Sequence, residues 1–363
     1  MARMTRADVY CPQEVATVHV MNRTVRRCFL MGDDPVTGKN YDHRKEWMET
    51  ELENLARNFA IDLVSFAILS NHFHLVLRSR PDVVKTWNDE EVARRWLMLC
   101  PKRRDSNNQP AEPTQKELDT IIKDPAKLQQ IRLRLSDISW WMRLLCQKIG
   151  RRANLEDGET GKFWQARFRA VRLLDESAIL ACTAYVDLNV IRAGLAETIE
   201  TSVFTSAQQR ALELRAQATG QTSTGAHPAI DTDPIRRLKP IAQSLSPICL
   251  TEEGSGTGPC VHTGGLRASD KGFLPMTTAQ YLDLLDWTAR QLRSDKRGAT
   301  PATAAPLFER LEIDAEIWCE LTKNFGRLFS AVAGKPTVID ATRGHQSGRR
   351  FNIPAKTRQL MPN

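Results

Sequence analysis

The sequence has no long hydrophobic run, no closely spaced cysteine pair and no internal repeat. Nowhere in its 363 residues do about 18 uncharged apolar residues follow one another, which excludes a membrane-spanning helix. The opening segment lacks the continuous apolar stretch of a secretory signal. The eight cysteines include no Cys-x-x-Cys pair, which argues against a zinc ribbon and a compact disulfide framework. We therefore expect a soluble, cytoplasmic protein whose cysteines are reduced and mostly structural.

The composition indicates a folded, basic protein. A hydrophobic content of 41% is sufficient for a buried core in a chain of this length. The formal net charge is +8 and the isoelectric point is about 9.1, so the chain attracts polyanions and its association with them should weaken in salt. This favours a nucleic-acid partner only weakly, because ribosomal and membrane-surface proteins share the same charge balance.

Hydrophobic periodicity predicts a strand, a helix and then two more strands in the first part of the chain. Residues 15–23 are β-branched and alternate loosely, and residues 44–58 have apolar positions near helical spacing. Residues 61–69 and 73–78 are rich in β-branched and aliphatic side chains, and the polar pair Ser70-Asn71 between them is typical of a tight turn. We expect these two strands to be antiparallel.

A polar, proline-bearing insertion is predicted next, at about residues 81–135, although residues 87–99 would also suit a helix. Ser136 is then expected to cap a helix over 136–152, residues 163–174 to form a strand, and Asp175 to cap a helix reaching about Arg192. This order predicts an α+β fold in which helices lie on one face of a mainly antiparallel sheet.

Composition divides the chain into three predicted regions. Residues 1–215 are expected to form one domain that includes the insertion. Residues 216–275 are rich in Gly, Ser, Thr and Pro and are expected to be a flexible linker. Residues 276–363 recover helical periodicity and end in a basic stretch, which predicts a small helical, basic accessory region.

A His-x-His pair is the first candidate for chemistry. In a strand, residues two apart face the same side, so His72 and His74 would present two imidazoles together while Phe73 points the other way. Two neutral imidazoles on one strand are half of a site for a divalent cation. The motif is only three residues long, however, and an ordinary surface or core pair is the commoner meaning of such a pattern.

A tyrosine and an asparagine one helical turn apart form the second candidate. Ile179, Leu180, Thr183, Val186 and Val190 fit the packed face of a helix, whereas Tyr185 and Asn189 share another face and could point at the same metal. Taken alone, such a pair is more often an interface or capping pair.

Together these motifs resemble a known family. His72 and His74 within SNHFHLVL, the segment FWQARF at residues 163–168, and YVDLNVIRAGL at residues 185–195 resemble the REP-associated tyrosine transposases. Those proteins are relatives of the single-tyrosine, IS200-like transposases of the HUH superfamily. The resemblance covers about residues 10–205, with the motifs in the right order and at plausible separations.

The resemblance implies a ferredoxin-like α+β domain, the HUH endonuclease fold, followed here by a helical C-terminal extension. It implies that His72, His74 and Asn189 are ligands of Mg²⁺ or Mn²⁺ and that Tyr185 is the nucleophile. The implied activity is nicking and strand transfer of single-stranded DNA through a 5′-phosphotyrosine. The implied partner is single-stranded DNA, typically in hairpin-forming repeats, bound by a monomer or a homodimer away from any membrane.

Two departures from the family pattern and one missing group qualify this expectation. Val190 stands where the family commonly has Pro after the Asn, which lets the helix run further and leaves the position of Arg192 open. Ser70 stands where a Pro often precedes the Asn-His turn. No general base for Tyr185 is identifiable, since Asp187, two residues further along a helix, points away from it.

Basic and aromatic residues near the motifs are candidates for DNA binding. On a strand they could set guanidinium groups along a phosphate path and stack on unpaired bases, although a solvated basic sheet face is an equally good interpretation. The candidates are Arg151, Arg152, Trp164, Arg167, Arg169, Arg172 and Arg192. Two rival functions remain open: a non-catalytic DNA-binding regulator of the same fold, and a metal-dependent nuclease that uses water as the nucleophile.

Overall fold

The computed structural model describes residues 9–25, 32–34, 38–218, 238–250, 259–292, 305–344 and 355–361. It is an α+β structure with a five-stranded mixed sheet in the order β2-β3-β1-β4-β5. The strands are β1 (Thr17–Arg23), β2 (Ile61–Ile68), β3 (His72–Ser79), β4 (Arg169–Leu173) and β5 (Val332–Ala333). Strands β1 to β4 pair antiparallel, and β5 joins β4 in parallel.

The helices before β4 are α1 (His43–Asn58), α2 (Pro81–Val84), α3 (Asp89–Leu99), α4 (Gln115–Ile122), α5 (Pro125–Arg134) and α6 (Ile138–Asp157). After β4 come α7 (Glu176–Asp187), α8 (Asn189–Arg192), α9 (Ser206–Ala218), α10 (Ile241–Ser244), α11 (Thr278–Leu292), α12 (Ala305–Leu311), α13 (Ala315–Leu328), α14 (Pro336–Gly344) and α15 (Ala355–Leu360). Within the described residues, no helix is long and apolar enough to cross a membrane.

Helices cover both faces of the sheet, whereas the sequence predicted one covered face. Side chains alternate along each strand, so each face carries its own apolar set. On one face Val18, Val20 and Leu75 belong to a core that includes α1 and α6. On the other, Val76 and Val171 belong to a core that includes α7, α11 and α13. Every residue of β2 is buried, as expected for a strand packed on both sides.

The segment predicted to be a polar insertion forms helices α2 to α5. Leu118, Ile121, Leu128 and Ile131 of α4 and α5 are buried in the same core as α1 and α6. The longest part without helix is residues 100–114, which carries the polar and proline residues behind the prediction. The helix predicted over 87–99 is present as α3, capped by Asn88.

Of the two helix caps predicted on either side of β4, the cap of α7 is confirmed and the cap of α6 is wrong. Asp175 caps α7 as predicted, accepting a hydrogen bond from the N–H of Ala178 at 2.8 Å. Ser136 does not cap α6, because the carboxylate of Asp137 accepts the N–H of Ser139 at 2.7 Å instead. Helix α6 also continues past residue 152 and ends at Gly158, whose φ of 66° suits glycine.

The regions predicted to be a linker and an accessory unit contact the sheet where they are described. Arg78 of β3 donates a hydrogen bond to the carbonyl of Gly272 at 2.9 Å. Helix α13 packs on α7, and β5 extends the sheet. The seven cysteines in the described part of the chain are free, and Cys28 lies outside it.

Glu49 of α1 provides a test of the core by pH. Burial raises its pKa from 4.5 to about 7, although Lys239 lies 2.6 Å from the carboxylate and opposes the shift. The folded chain therefore holds a proton between these pH values that the unfolded chain releases. The stabilisation of the folded chain by this proton is complete below pH 4.5 and is lost as the pH rises through about 7.

We expect the unfolding free energy of the wild type, relative to Glu49→Gln, to fall by up to about 3 kcal/mol between pH 4.5 and pH 8. Urea denaturation of both proteins at several pH values measures this difference. A difference that stays constant across the range would show that Glu49 is not protonated in the folded chain.

Candidate functional site

The candidate site lies at the end of β1, on the sheet face that carries α7. In the antiparallel register His74 pairs with Met21 and His72 with Arg23. His72, His74, Tyr185 and Asn189 all line one open cavity of about 980 Å³. The structure thus brings together the four residues that the sequence singled out for chemistry.

Tyr185 is held by aromatic rings and by an arginine. Its ring centroid lies 5.5 Å from that of His74 and 5.9 Å from that of Phe325. The guanidinium carbon of Arg192 lies 4.4 Å from the Tyr185 ring centroid. These contacts fix the position of the ring.

Asp187 lies outside this cluster, as helical geometry predicted. Its buried carboxylate accepts hydrogen bonds from Ser65 at 3.1 Å, from Tyr281 at 2.7 Å and from Ser206. Burial raises the pKa of Asp187. The carboxylate therefore ties α7 to β2, α9 and α11, and its hydrogen bonds are not made to Tyr185.

Each histidine of the pair is held by a neighbour through Nδ1. His72 Nδ1 lies 2.8 Å from the Oδ1 of Asn71, an acceptor, so this nitrogen carries the proton and Nε2 keeps its lone pair. His74 Nδ1 lies 2.9 Å from Nε2 of His19, whose ring stacks on it with centroids 5.1 Å apart. Partners at one ring nitrogen commonly set the tautomer and orientation of metal-binding histidines.

The three imidazoles are neutral at neutral pH. Burial, helped by the nearby positive charge of Arg23, lowers the pKa of His72 to about 4. Burial, helped by Arg169, lowers the pKa of His19 to about 3. Burial, followed by the neighbouring imidazoles and Arg192, lowers the pKa of His74 well below its ordinary value. Unprotonated rings keep the lone pairs that metal ligation requires.

Asn189 adds an unsatisfied polar atom. Its Nδ2 is buried and has no hydrogen-bond partner. A buried amide without a partner is costly, and turning the amide would place its oxygen, a ligand of hard cations, at the same point. Within the described ranges, no three His, Cys, Asp or Glu side chains are grouped to hold a metal. A metal on His72 and His74 would therefore draw its further protein ligand from an amide such as that of Asn189.

Comparison with known proteins identifies no family. No family model matches the sequence, and no curated protein matches it. Among solved structures, a REP-associated tyrosine transposase bound to a REP hairpin is similar. The TM-score is 0.33 and the sequence identity 12%, over 64% of this chain and 96% of that chain. This is a distant structural relationship, and it does not say what this chain does.

Helix α13 contributes residues to the site that sequence reasoning missed. A Cβ on Gly326 would lie 2.9 Å from the hydroxyl of Tyr185, so only glycine lets α13 come this close. Lys323 and Arg327, on the same helix, line the cavity. His19 was also missed, although its position two residues before Met21 on β1 places it on the face of the His pair.

The cavity is strongly basic. Two of its cations, Arg169 and Arg192, were predicted, and three were not. The lining includes Arg23, Arg169, Arg192, Lys323 and Arg327, and among the residues that the structure describes Glu197 is its single carboxylate. Clustered guanidinium and ammonium groups are suited to phosphate oxygens.

The other predicted DNA-binding residues do not line the site cavity. Arg167 is exposed, and Arg151 and Arg152 are exposed on α6. Trp164 is half-buried and donates its indole N–H to the carbonyl of Cys146 at 2.7 Å.

Arg172 lies on the opposite sheet face from Arg169, because three residues separate them on a strand of period two. It forms an ion pair with Glu14 at 3.2 Å. Arg172 therefore does not extend the row of cations expected along this strand.

Proposed function

We propose that this protein is a DNA-processing enzyme that nicks single-stranded DNA through Tyr185 and can rejoin it. The observation that carries the proposal is one basic cavity that contains a tyrosine, two neutral imidazoles and an unpartnered amide. Such a set combines a nucleophile, metal ligands and phosphate-binding cations. The strand order β2-β3-β1-β4, with α1 and α6 on one face, supports a ferredoxin-like HUH fold.

A divalent cation, Mg²⁺ or Mn²⁺, would be held by His72, His74 and Asn189. The hydrogen bonds at Nδ1 of both imidazoles leave Nε2 for ligation, and the buried amide of Asn189 has no other partner. When bound, the cation would neutralise charge on the phosphodiester and fix its orientation. Imidazoles also suit softer ions, so the choice of Mg²⁺ or Mn²⁺ is itself part of the proposal.

The chemical step assigns one role to Tyr185. Its hydroxyl oxygen attacks phosphorus and loses its proton, and the bond from phosphorus to the 3′ oxygen breaks. The departing oxygen takes up a proton to give a free 3′ hydroxyl, and the 5′ phosphate stays linked to the tyrosine. Attack by a second 3′ hydroxyl reverses the step and joins strands without an energy source.

The remaining side chains hold the reactants. Arg192 lies over the Tyr185 ring, with its guanidinium carbon 4.4 Å from the ring centroid, and holds the ring in place. Arg23, Arg169, Lys323 and Arg327 would bind phosphates on either side of the one attacked. Phe325 and His74 keep the tyrosine ring from turning away.

The experiment that tests this proposal is an adduct assay on a denaturing gel. The full chain is incubated with labelled single-stranded DNA from the flanks of its own gene, with Mn²⁺ or Mg²⁺ and with EDTA. We expect a metal-dependent band in which protein and DNA migrate together. Cleavage without an adduct would indicate a nuclease that uses water, and binding with neither would indicate a regulator. Both results would contradict the proposal.

Gly326→Ala should impair the reaction more than it impairs folding. The added methyl group needs the place of the Tyr185 hydroxyl, 2.9 Å away, and the ring must shift. A displaced nucleophile typically costs about 10- to 100-fold in rate. We expect the rate of adduct formation to fall by that factor while the melting temperature changes little.

Glu316→Ala is the matched control for this variant, because Glu316 is exposed on the same helix and does not line the cavity. It should leave the rate of adduct formation unchanged. An equal rate in Gly326→Ala and the wild type would show that the hydroxyl does not react from this position.

A further inference from the structure

A second cavity lies on the opposite face of the sheet from the candidate site. It has a volume of about 630 Å³ and is called here the tryptophan cavity. Its aromatic residues are Trp140, Trp164 and Phe168, and its cations are Arg143, Lys162 and Arg167. None of the residues that line it is acidic. Flat apolar walls among cations, without carboxylates, match the chemistry of a nucleobase attached to phosphates.

The walls of the tryptophan cavity are held in place. The guanidinium carbons of Arg143 and Arg134 lie 4.6 Å and 4.2 Å from the ring centroid of Trp140, so two cations hold this ring. The ring of Trp164 packs edge to face on Phe73, with centroids 5.4 Å apart, and its N–H is bound to Cys146. Rigid aromatic and guanidinium planes are surfaces on which unpaired bases stack.

The tryptophan cavity and the site cavity meet at the same end of the sheet. Asn22 of β1 lines the tryptophan cavity, and its neighbours Met21 and Arg23 line the site cavity on the other face. Arg167 lines the first cavity and Arg169 the second. A DNA strand crossing this end of the sheet would therefore meet a cation at each cavity, on residues two positions apart in the chain.

We propose that the tryptophan cavity binds an unpaired base of single-stranded DNA whose neighbouring phosphates lie at the candidate site. This inference rests on the proposed function for the identity of the polymer. The base stacks in the cavity, and Arg167 and Arg169 bind the backbone that connects it to the phosphodiester near Tyr185. The cavity thereby fixes which phosphodiester is presented for attack.

Cys146 provides a probe in the wild-type chain, because this half-buried thiol forms no disulfide and lines the tryptophan cavity, where it accepts a hydrogen bond from Asn22 at 3.3 Å. Its alkylation by iodoacetamide is followed by mass spectrometry without metal, so that no cleavage occurs. The ligands are a twelve-nucleotide oligothymidylate and an abasic oligomer with the same number of phosphates. Both are used at the same fractional saturation of the protein, set by fluorescence anisotropy. Cys249, which is half-buried and lines neither cavity, is the internal control.

We expect oligothymidylate to slow the alkylation of Cys146 by about tenfold, and the abasic oligomer and Cys249 to show no effect. Trp140→Leu should abolish the difference between the two oligomers. Trp47→Leu should preserve it, because Trp47 also stacks with an arginine, Arg152, but lies outside the cavity. Equal protection of Cys146 by both oligomers, or by neither, would overturn the proposal.

The adduct assay separates this inference from the proposed function. Base-dependent protection in a chain that forms no adduct would keep the base site and reject the nicking reaction. An adduct without base-dependent protection would keep the reaction and reject the base site.

Discussion

Tyr185→Phe is expected to lower the yield of the DNA adduct and of nicked DNA by more than about a thousandfold, because it removes the nucleophilic oxygen. The ring contacts with His74 and Phe325 do not involve this oxygen, and the guanidinium of Arg192 can still lie over the ring when its interaction with the hydroxyl is lost, so folding and DNA affinity should persist. Adduct yield on a denaturing gel and DNA affinity by anisotropy measure the two effects separately.

Tyr281→Phe is the matched control, because Tyr281 is a second buried tyrosine and lies on α11. Its hydroxyl donates to Asp187 at 2.7 Å, so its loss should reduce stability by about 1–3 kcal/mol without preventing the adduct. If Tyr185→Phe formed the adduct as well as the wild type, the tyrosine mechanism would be rejected.

The second large effect is expected on metal affinity. His74→Gln, His72→Gln and Asn189→Leu each remove a proposed ligand, or move it out of position. Affinity for Mn²⁺, measured by calorimetry without DNA, should fall by more than about tenfold for each variant. His262→Gln is a control histidine substitution, since His262 pairs with Asp270 at 2.9 Å and does not line the site cavity. Unchanged Mn²⁺ affinity in all three ligand variants would remove the metal from the proposal.

His19→Phe tests the hydrogen bond behind His74. Phenylalanine can keep the stacked packing on His74, but it cannot accept a hydrogen bond from Nδ1. Loss of such a partner typically lowers metal affinity by about 10- to 100-fold. His19→Gln, whose amide oxygen is an acceptor, should recover part of that loss. Equal Mn²⁺ affinity in His19→Phe and the wild type would show that the hydrogen bond does not orient His74.

The four central residues were predictable because the members of each pair are close in sequence, although Tyr185 lies in α7 and Asn189 begins α8. His72 and His74 follow the period of a strand, and Tyr185 and Asn189 are one helical turn apart. The structure places all four on one cavity, whereas their roles as ligands and nucleophile stay predictions. Helix α7, which carries Tyr185, ends before Leu188. The one-turn helix α8 follows, and the chain then turns at Gly194, whose φ is 71°. Arg192 thereby comes to lie over Tyr185.

Other parts of the fold had weaker local signals. Helix α4 begins with a capping box between Thr114 and Glu117, and α5 with Pro125 in its first turn, yet both helices are short. Short helices depend on packing for their stability, and packing cannot be read from the local sequence. The polar residues before these helices therefore led to the prediction of an insertion. Gly326 reaches Tyr185 across more than a hundred residues of sequence, and no local pattern encodes such a contact. The covering of the second sheet face was missed for the same reason.

The central claim is that Tyr185 becomes covalently linked to DNA. The most direct measurement is to digest the protein–DNA adduct with trypsin and a nuclease and to identify the modified peptide by tandem mass spectrometry. We predict a nucleotide attached through its 5′ phosphate to Tyr185. A modification on another residue, such as Tyr41, or the absence of any modified peptide from cleaving protein, would contradict the claim.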